Sequence, residues 1–290
     1  EDKYTYDVAS SFKEGDYFKV DLINQNNNHK QIILKNKEGV YVLTPSLNKS
    51  FKFQSDWPYN NSQIYLLQPI LNDITSDNNK NIEKTSDGYI ITTKVNYSTE
   101  SDFNKQKIYV DLKANITKIE VLDKNDSVKM ALTIIDIDYN KQFEDDYFDI
   151  SKYNIEENKE ESSNNKESLS EENEDTSTSK IDEIVYPMYV PTDTYLTAQD
   201  IVETNSGERV ILTFNGESTF TIVQENLSDV DAVNYIYGDP YLILDTVGAI
   251  TDYSVSWISN GIEYSVMSDS MNIDELLTVA QSISVKPVGK

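Results

Sequence analysis

The sequence predicts a mainly β protein: a curved antiparallel sheet covered by one helix, followed by a small α+β domain. Short runs in which apolar and polar residues alternate recur about every ten residues, with polar turns between them, which is typical of antiparallel strands. Apolar residues at helical spacing are confined to two stretches, 62–74 and 272–283. Between the two β-rich regions lies one long segment with almost no apolar residues.

The N-terminal region is predicted to be a meander of antiparallel strands. The first five strands are expected at 3–9, 17–23, 31–35, 40–44 and 50–53. Pro45 and Asn48 lie between the last two of these runs, and both residues favour a tight reversal. Five further strands are expected at 82–85, 89–94, 107–112, 116–122 and 128–139. In the last of them the alternation changes phase at Ile134 and Ile135, which predicts a β-bulge.

A helix over 64–74 is predicted between these two groups of strands. Residues 60–62 (Asn, Asn, Ser) are suited to cap its N-terminus. Pro69 lies inside the range and is expected to kink or shorten the helix, because proline deletes the bond to the carbonyl of Tyr65. The apolar face of this helix is expected to lie on the sheet.

A change of composition separates the two β-rich regions. Residues 155–182 include ten acidic residues and three lysines, and the rest are mostly Ser, Asn and Thr. Such a segment cannot bury enough apolar surface to offset its ordering entropy, so a disordered, self-repelling linker is expected. The predicted domains are therefore a sheet domain at 1–153, an acidic linker at 154–183 and an α+β domain at 184–287.

The second domain is predicted to contain strands and one C-terminal helix. The strands are expected at 195–204, 208–215, 219–226, 241–247, 253–259 and 262–268. Asn272 is suited to cap the helix, and Asp274 and Glu275 in the first turn favour its N-terminus electrostatically. Arg209, the only arginine, is expected to be the exposed cross-strand partner of a carboxylate.

Composition narrows the classes of function. The chain has 290 residues and a net charge of −25, which argues against nucleic acids and anionic lipid surfaces as partners. It has no cysteine, so a disulfide framework and a thiol nucleophile are excluded. His29, the only histidine, follows three asparagines and is expected to be a solvated turn residue. No metal ion and no cofactor are expected.

Two acidic groups could in principle supply an acid and a base. Asp136 and Asp138 are separated by one residue, and residues 144–146 are Glu-Asp-Asp. Paired carboxylates of this kind serve in general acid–base catalysis or bind calcium weakly. In so acidic a chain, solvent-facing carboxylates are the simpler expectation, and we expect the protein not to be an enzyme.

The candidate site lies on the strand at 40–44 and in the segment that follows. Alternate residues of this strand point to opposite faces and both sets are apolar, so both faces must be covered. One expected cover is the helix; the other is either core or a partner. Ordinary core, a groove for an acyl chain and a protein-docking surface stay open as interpretations. The candidate residues are Val40, Tyr41, Val42, Leu43, Trp57, Ile64, Leu67 and Leu71.

The stretch from Gly39 to Ile74, GVYVLTPSLNKSFKFQSDWPYNNSQIYLLQPILNDI, resembles the LolA-like lipoprotein-sorting family of low-GC Gram-positive bacteria. The resemblance covers about residues 3–150 and is strongest to the sporulation and germination lipoproteins of the GerS type. The second region, with ERVILTF, GDPYLILDTVGAITD, SVSWISNGIEYSVMS and DELLTVAQSI, resembles an uncharacterised module that often follows such domains. The order of the two regions is similar to that of RseB.

The resemblance implies a half-open antiparallel β-barrel with an apolar concave face closed by helices. Members of this family have no catalytic residues, and they bind acyl chains or act by protein contact. In the family a lipid-modified cysteine, an amphipathic helix and a first strand come at the start, and none of these is present from Glu1 onward. A lipid anchor upstream of Glu1 is therefore expected to attach the protein to the membrane, outside the cytoplasm.

The primary hypothesis is a non-enzymatic lipoprotein of the cell envelope that acts in sporulation or germination by binding a protein. For GerS-type members the resemblance implies that the partner is a cell-wall amidase, which is activated. One alternative is a lipid or lipoprotein carrier that uses the half-barrel cavity. Another is an RseB-like regulator of an anti-sigma factor.

Overall fold

The computed structural model describes residues 4–45, 49–59, 62–97, 103–153, 180–204, 207–227, 234–243 and 245–283. The expected turn after Pro45 and almost all of the predicted acidic linker lie outside these residues. Contacts between residues divide the chain into two compact units. Unit 1 comprises 1–55 and 148–290, and unit 2 comprises 56–147.

The predicted fold class is confirmed: the protein is mainly β, with several antiparallel sheets that are not closed. Within the described residues there are three sheets and two α-helices. The first sheet, in unit 1, has the strand order β1 (Tyr6–Lys13), β2 (Tyr17–Asn24), β3 (Lys30–Asn36), β4 (Gly39–Thr44), β5 (Lys49–Gln54) and β14 (Asn234–Tyr237).

A strand from late in the sequence completes the first sheet. Strands β1 to β5 form an antiparallel meander, as expected, but β14 pairs in parallel with β5. In this pairing Asn234 lies opposite Phe51 and Tyr237 lies opposite Gln54. The sheet therefore combines strands from both predicted domains. The predicted domain boundaries say which parts of the chain fold independently, and they stay a prediction.

The second sheet of unit 1 has seven strands and one helix. Its strand order is β11 (Thr194–Thr204), β12 (Gly207–Gly216), β13 (Phe220–Asn226), β18 (Ile262–Met267), β17 (Ser254–Ser259), β16 (Thr246–Ile250) and β15 (Asp239–Ile243). The predicted single strand at 241–247 is wrong, because the chain reverses after Ile243 and β15 pairs antiparallel with β16. Only two residues separate these strands, and a reversal this short barely interrupts the apolar pattern.

Helix α2 (Ile273–Ser282) packs on β17 and β18 and covers the core of this sheet. The predicted cap is confirmed: Oδ1 of Asn272 accepts a hydrogen bond of 2.9 Å from the backbone N–H of Glu275. The core under the helix is apolar and includes Val210, Leu212, Phe214, Ile222, Trp257, Leu276 and Ala280.

Unit 2 contains a five-stranded antiparallel sheet and helix α1 (Leu67–Ser76). The strand order is β10 (Val128–Thr133), β9 (Ile116–Asp123), β8 (Phe103–Asp111), β7 (Gly88–Lys94) and β6 (Asn81–Lys84). The prediction of one continuous sheet over the N-terminal region is therefore wrong, since two separate sheets are present. Alternation along each strand looks the same in one sheet or two, so it could not reveal the break between β5 and β6.

Two local predictions in unit 2 are also wrong. Helix α1 begins at Leu67 rather than at Ile64, and its N-cap is Leu66, which makes no side-chain capping bond, rather than one of residues 60–62. Pro69 is thus the third helical residue, where a missing N–H breaks no helical bond. The expected bulge at Ile134 is absent: β10 ends at Thr133, and its register shift lies between Val128 and Met130.

Candidate functional site

Four of the eight predicted site residues form the centre of the first sheet. Val40, Tyr41, Val42 and Leu43 lie on β4, between β3 and β5, and all four are buried. The expectation that both faces of this strand are covered is therefore confirmed. The ring of Tyr41 lies 5.2 Å from Nζ of Lys52, so one member of the set also makes a cation–π contact.

The face of β4 that carries Val42 packs against β16 and β17. Val42 lies opposite Phe51 in the antiparallel register, so the two side chains share a face. A cavity of about 10 Å³ is lined there by residues of both sheets, including Phe51, Val247 and Trp257. A volume of this size holds at most one water molecule. At this point the space between the two sheets of unit 1 is filled with side chains.

A buried glutamine joins the two sheets of unit 1 at the same place. The backbone N–H of Val247 donates to Oε1 of Gln31 at 2.5 Å, and Nε2 of Gln31 donates to the carbonyl of Val247 at 3.2 Å. Nε2 of Gln31 also lies 3.3 Å from the hydroxyl of Thr44. The pairing of β16 with β17 covers only Ala249 and Ile250, so this side chain satisfies backbone groups of Val247 that β17 does not reach.

The other four predicted residues belong to unit 2. Trp57 is fully buried, and burial raises the pKa of the neighbouring Tyr65 hydroxyl. Ile64 is buried and Leu67 half-buried, and both belong to an apolar cluster on the five-stranded sheet. Leu71 is 46% exposed and is the only one of the eight with an exposed side chain.

Asp73, which the sequence did not single out, lies on the side of helix α1 that faces the sheet and attaches the helix to it. Oδ2 of Asp73 accepts a hydrogen bond of 2.8 Å from Nε2 of Gln106, and the hydroxyl of Thr93 donates to the carbonyl of Asp73 at 3.1 Å. Burial raises the pKa of the Asp73 carboxyl, against the hydrogen bonds from Ser62 and Gln106. Its position in the sequence could have indicated this role, because Asp73 lies three residues after buried Ile70 and therefore on the same face of the helix.

The residues considered for catalysis do not come together. Asp136, Asp138 and residues 144–146 face solvent, as expected. His29 lies in the turn between β2 and β3, where it is half-buried, and burial lowers its pKa against the field of Asp245. Within the described ranges, no group of three or more His, Cys, Asp or Glu side chains is arranged to hold a metal ion.

Arg209 has the role that was expected of it. It lies opposite Glu225 in the register of β12 and β13. Its Nε and one terminal nitrogen each donate to the Glu225 carboxylate at 2.9 Å, a bidentate arrangement. Arg209 is thus a cross-strand ion-pair partner.

None of the helices in the described residues is both long and apolar enough to cross a membrane.

A sequence comparison over nearly the whole chain decides the family. The chain is 32% identical over 283 residues to the sporulation protein YdcC of Bacillus subtilis (strain 168), which covers 96% of this chain and 80% of that protein. The chain belongs to the YdcC family. No protein-family model matches the sequence. The predicted relation to sporulation proteins is therefore confirmed by the YdcC likeness.

Solved structures with a similar fold show weaker likeness to this YdcC-family chain. A structure of the CwlD amidase from Clostridioides difficile in complex with the GerS lipoprotein matches with a TM-score of 0.36 and 15% identity, over 47% of this chain and 85% of that chain. The Pseudomonas aeruginosa MucA/MucB complex matches with a TM-score of 0.26 and 10% identity, over 98% of this chain and 89% of that chain. These scores are too low to support conclusions about function.

Proposed function

We propose that this YdcC-family protein is a non-enzymatic module that acts outside the cytoplasm in sporulation by binding a partner protein. The observation that carries the proposal is the packing of the predicted cavity residues. Val42 is buried, and the cavity lined by Phe51, which lies opposite it, and by Val247 and Trp257 has a volume of only about 10 Å³. A chain whose apolar interior is filled offers its surface rather than a lumen.

Carriage of an acyl chain is less well supported. Small-molecule sites usually enclose about 300–1,000 Å³, far more than the cavity beside Val42. In unit 2, buried Ile64 and Ile70 pack with Ile108 and Ile119 in the space between helix α1 and its sheet. Each unit thus uses its best apolar surfaces for its own core.

The polar residues support binding rather than catalysis. Asp136 and Asp138 are both exposed to solvent. Half-buried His29 lies in a turn, where burial lowers its pKa and so favours the neutral ring. The net charge of −25 favours partners with a basic surface.

We further propose that the partner is an envelope protein, specifically a cell-wall amidase, and that a lipid anchor upstream of Glu1 holds the protein at the membrane. This finer proposal rests on the sequence resemblance of the stretch from Gly39 to Ile74 to GerS-type lipoproteins. If the protein instead regulates an anti-sigma factor, its partner is the extracytoplasmic domain of that membrane-bound inhibitor.

Cross-linking in sporulating cells followed by mass spectrometry tests this function. We expect an envelope protein with cell-wall hydrolase activity among the cross-linked partners. Enrichment of an anti-sigma ectodomain would replace the amidase with the regulator hypothesis.

A parallel measurement with a fluorescent fatty acid tests carriage directly. We expect no saturable uptake by the delipidated protein at micromolar concentration. Saturable uptake that the variant Leu67→Asp abolishes would overturn the protein-binding function in favour of a carrier.

A further inference from the structure

Strand β11 is a long outer strand, and within the described residues no strand pairs with its second side. It spans Thr194–Thr204, and in the described part of the chain it pairs with β12 alone. Every residue from Tyr195 to Glu203 is exposed. Alternate residues of an edge strand direct their N–H and C=O groups away from the sheet, so β11 presents a row of backbone groups to which another strand can bind.

The other outer strands with described side chains carry residues that discourage pairing. Lys13 on β1, Lys84 on β6 and Lys129 on β10 place a lysine on each edge, and β15 contains Pro240. Lysine and proline are the usual protection of an open edge. Strand β11 contains neither of them.

Strand β11 has one irregularity, close to its start. The register shifts between Leu196 and Ala198, and the hydroxyl of Thr197 accepts a 2.6 Å hydrogen bond from Nδ2 of Asn215. From Ala198 to Thr204 the register is continuous. This regular part is long enough to pair with a partner strand of ordinary length.

Apolar side chains line this open edge. Ile201 is 54% exposed and lies opposite Val210, so it shares the core face of the sheet at the point where the core ends. On the same face, the hydroxyl of Tyr186 donates a 2.6 Å hydrogen bond to Oε1 of Gln199, which places an exposed aromatic ring beside the strand. A strand added to β11 would therefore bury apolar side chains as well as backbone groups.

The charge at this edge selects the occupant. Asp200 and Glu203 are exposed, β11 has no basic residue, and the nearby Arg209 is neutralised by Glu225. The acidic segment at 155–182 and a second copy of this chain would both bring further negative charge. Opposite charges across paired strands are stabilising and like charges are destabilising.

We propose that β11 is a docking edge that accepts an extended segment of another protein, with apolar and basic residues in alternation, as an additional strand. The proposal deepens the protein-binding function, on which it rests for the nature of the partner. The lysine or arginine side chains of the segment lie near Asp200, and its apolar side chains lie beside Ile201 and Tyr186.

Binding of a synthetic peptide to the full chain tests this site. The probe is a fluorescein-labelled peptide of alternating lysine and valine, about nine residues long to match a strand. A second peptide has the same sequence with every backbone nitrogen methylated, so it keeps the charge of the lysines but can donate no hydrogen bond along either edge. We expect anisotropy titrations at physiological salt to show saturable binding of the first peptide and none of the second.

Charge reversal on the protein locates the binding. Asp200→Lys is expected to weaken the peptide about fivefold to tenfold, since one attractive cross-strand pair becomes repulsive. Asp252→Lys makes the same change of net charge at an exposed loop position between β16 and β17 and is expected to have little effect. A peptide of alternating glutamate and valine should bind Asp200→Lys better than the unchanged protein.

Two results would overturn the proposal. Equal binding of the methylated peptide would show that only charge attraction is involved, and equal weakening by Asp252→Lys would show that the attraction is not located at β11. Cross-linking in sporulating cells separates this site from the general function. If Asp200→Lys captures the same partner in the same amount as the unchanged protein, protein binding stands and the β11 site falls.

Discussion

Strands β4 and β11 carry apolar residues on both faces, and the structure places them in opposite environments. Strand β4 lies between two neighbours, and Val40, Tyr41, Val42 and Leu43 are buried. Strand β11 lies at the end of its sheet, and Tyr195 is 66% exposed. The position of a strand in its sheet, rather than its residue content, decides whether its apolar side chains stabilise the fold or remain available for binding.

The largest effect is expected from matched truncations of the two strands. Leu43→Ala on β4 should lower the free energy of unfolding by about 3 kcal/mol, because it removes buried volume from a packed core. Ile201→Ala on β11 should change it by less than about 0.5 kcal/mol, as is usual for exposed positions. Urea unfolding of the full chain measures both. Equal losses would show that β11 also stabilises the fold, and the contrast would fail.

A second pair of variants compares buried and exposed glutamines. Gln31→Leu should cost about 2 kcal/mol, because the backbone N–H and carbonyl of Val247 lose a buried partner. Gln199→Leu removes the bond to Tyr186 on β11, where water replaces it, so a change below about 0.5 kcal/mol is expected. The midpoints of urea unfolding, compared at a constant denaturant slope, decide between these outcomes.

The smallest effect concerns a charge rather than an apolar group. Because burial raises the pKa of Asp73 in the folded state, ionisation there opposes folding, and the opposition disappears once the carboxyl is protonated in both states. Asp73→Asn should therefore be more stable than the unchanged protein at neutral pH, by about 0.5 kcal/mol, since water screens a half-buried carboxylate.

The pH dependence of this difference is the informative measurement. The advantage of Asp73→Asn should shrink as the pH falls from about 7 to about 4, near the ordinary pKa of an aspartate. Thermal unfolding of both proteins across that range gives the difference directly. An advantage that stays constant with pH would mean that the hydrogen bond to Gln106, rather than the charge, determines the effect.

Local patterns in the sequence were sufficient for most of the individual elements. Alternation located β4, hairpin turns bounded β17 and β18, and Asn272 marked the start of α2. These features depend on neighbours in the sequence. The parallel pairing of β5 with β14 depends on residues far apart in the chain, and no local signal indicates it. The effect of Pro69 was predicted from a helix that begins too early. Because α1 begins at Leu67, the proline lies in the first turn, where it breaks no helical hydrogen bond.

The candidate site was predicted only in part, for the same physical reason. The apolar character of both faces of β4 required burial, and the four residues are buried. What covers a strand is decided by the order of strands in the sheets, which alternation does not encode. The exposure of β11 was missed because its sequence, TYLTAQDIVET, reads as an ordinary strand until its edge position is known.

The parallel pairing of β5 with β14 has a consequence for the newly synthesised chain. Unit 2 is continuous in sequence, so all its residues emerge from the ribosome before those of β14 are made. Strand β5 ends at Gln54, about 180 residues before β14 begins at Asn234. At about 5–20 residues per second, β5 waits about 10–40 s for its last neighbour. Any chain that terminates early, before Asn234, would keep the first sheet open at β5.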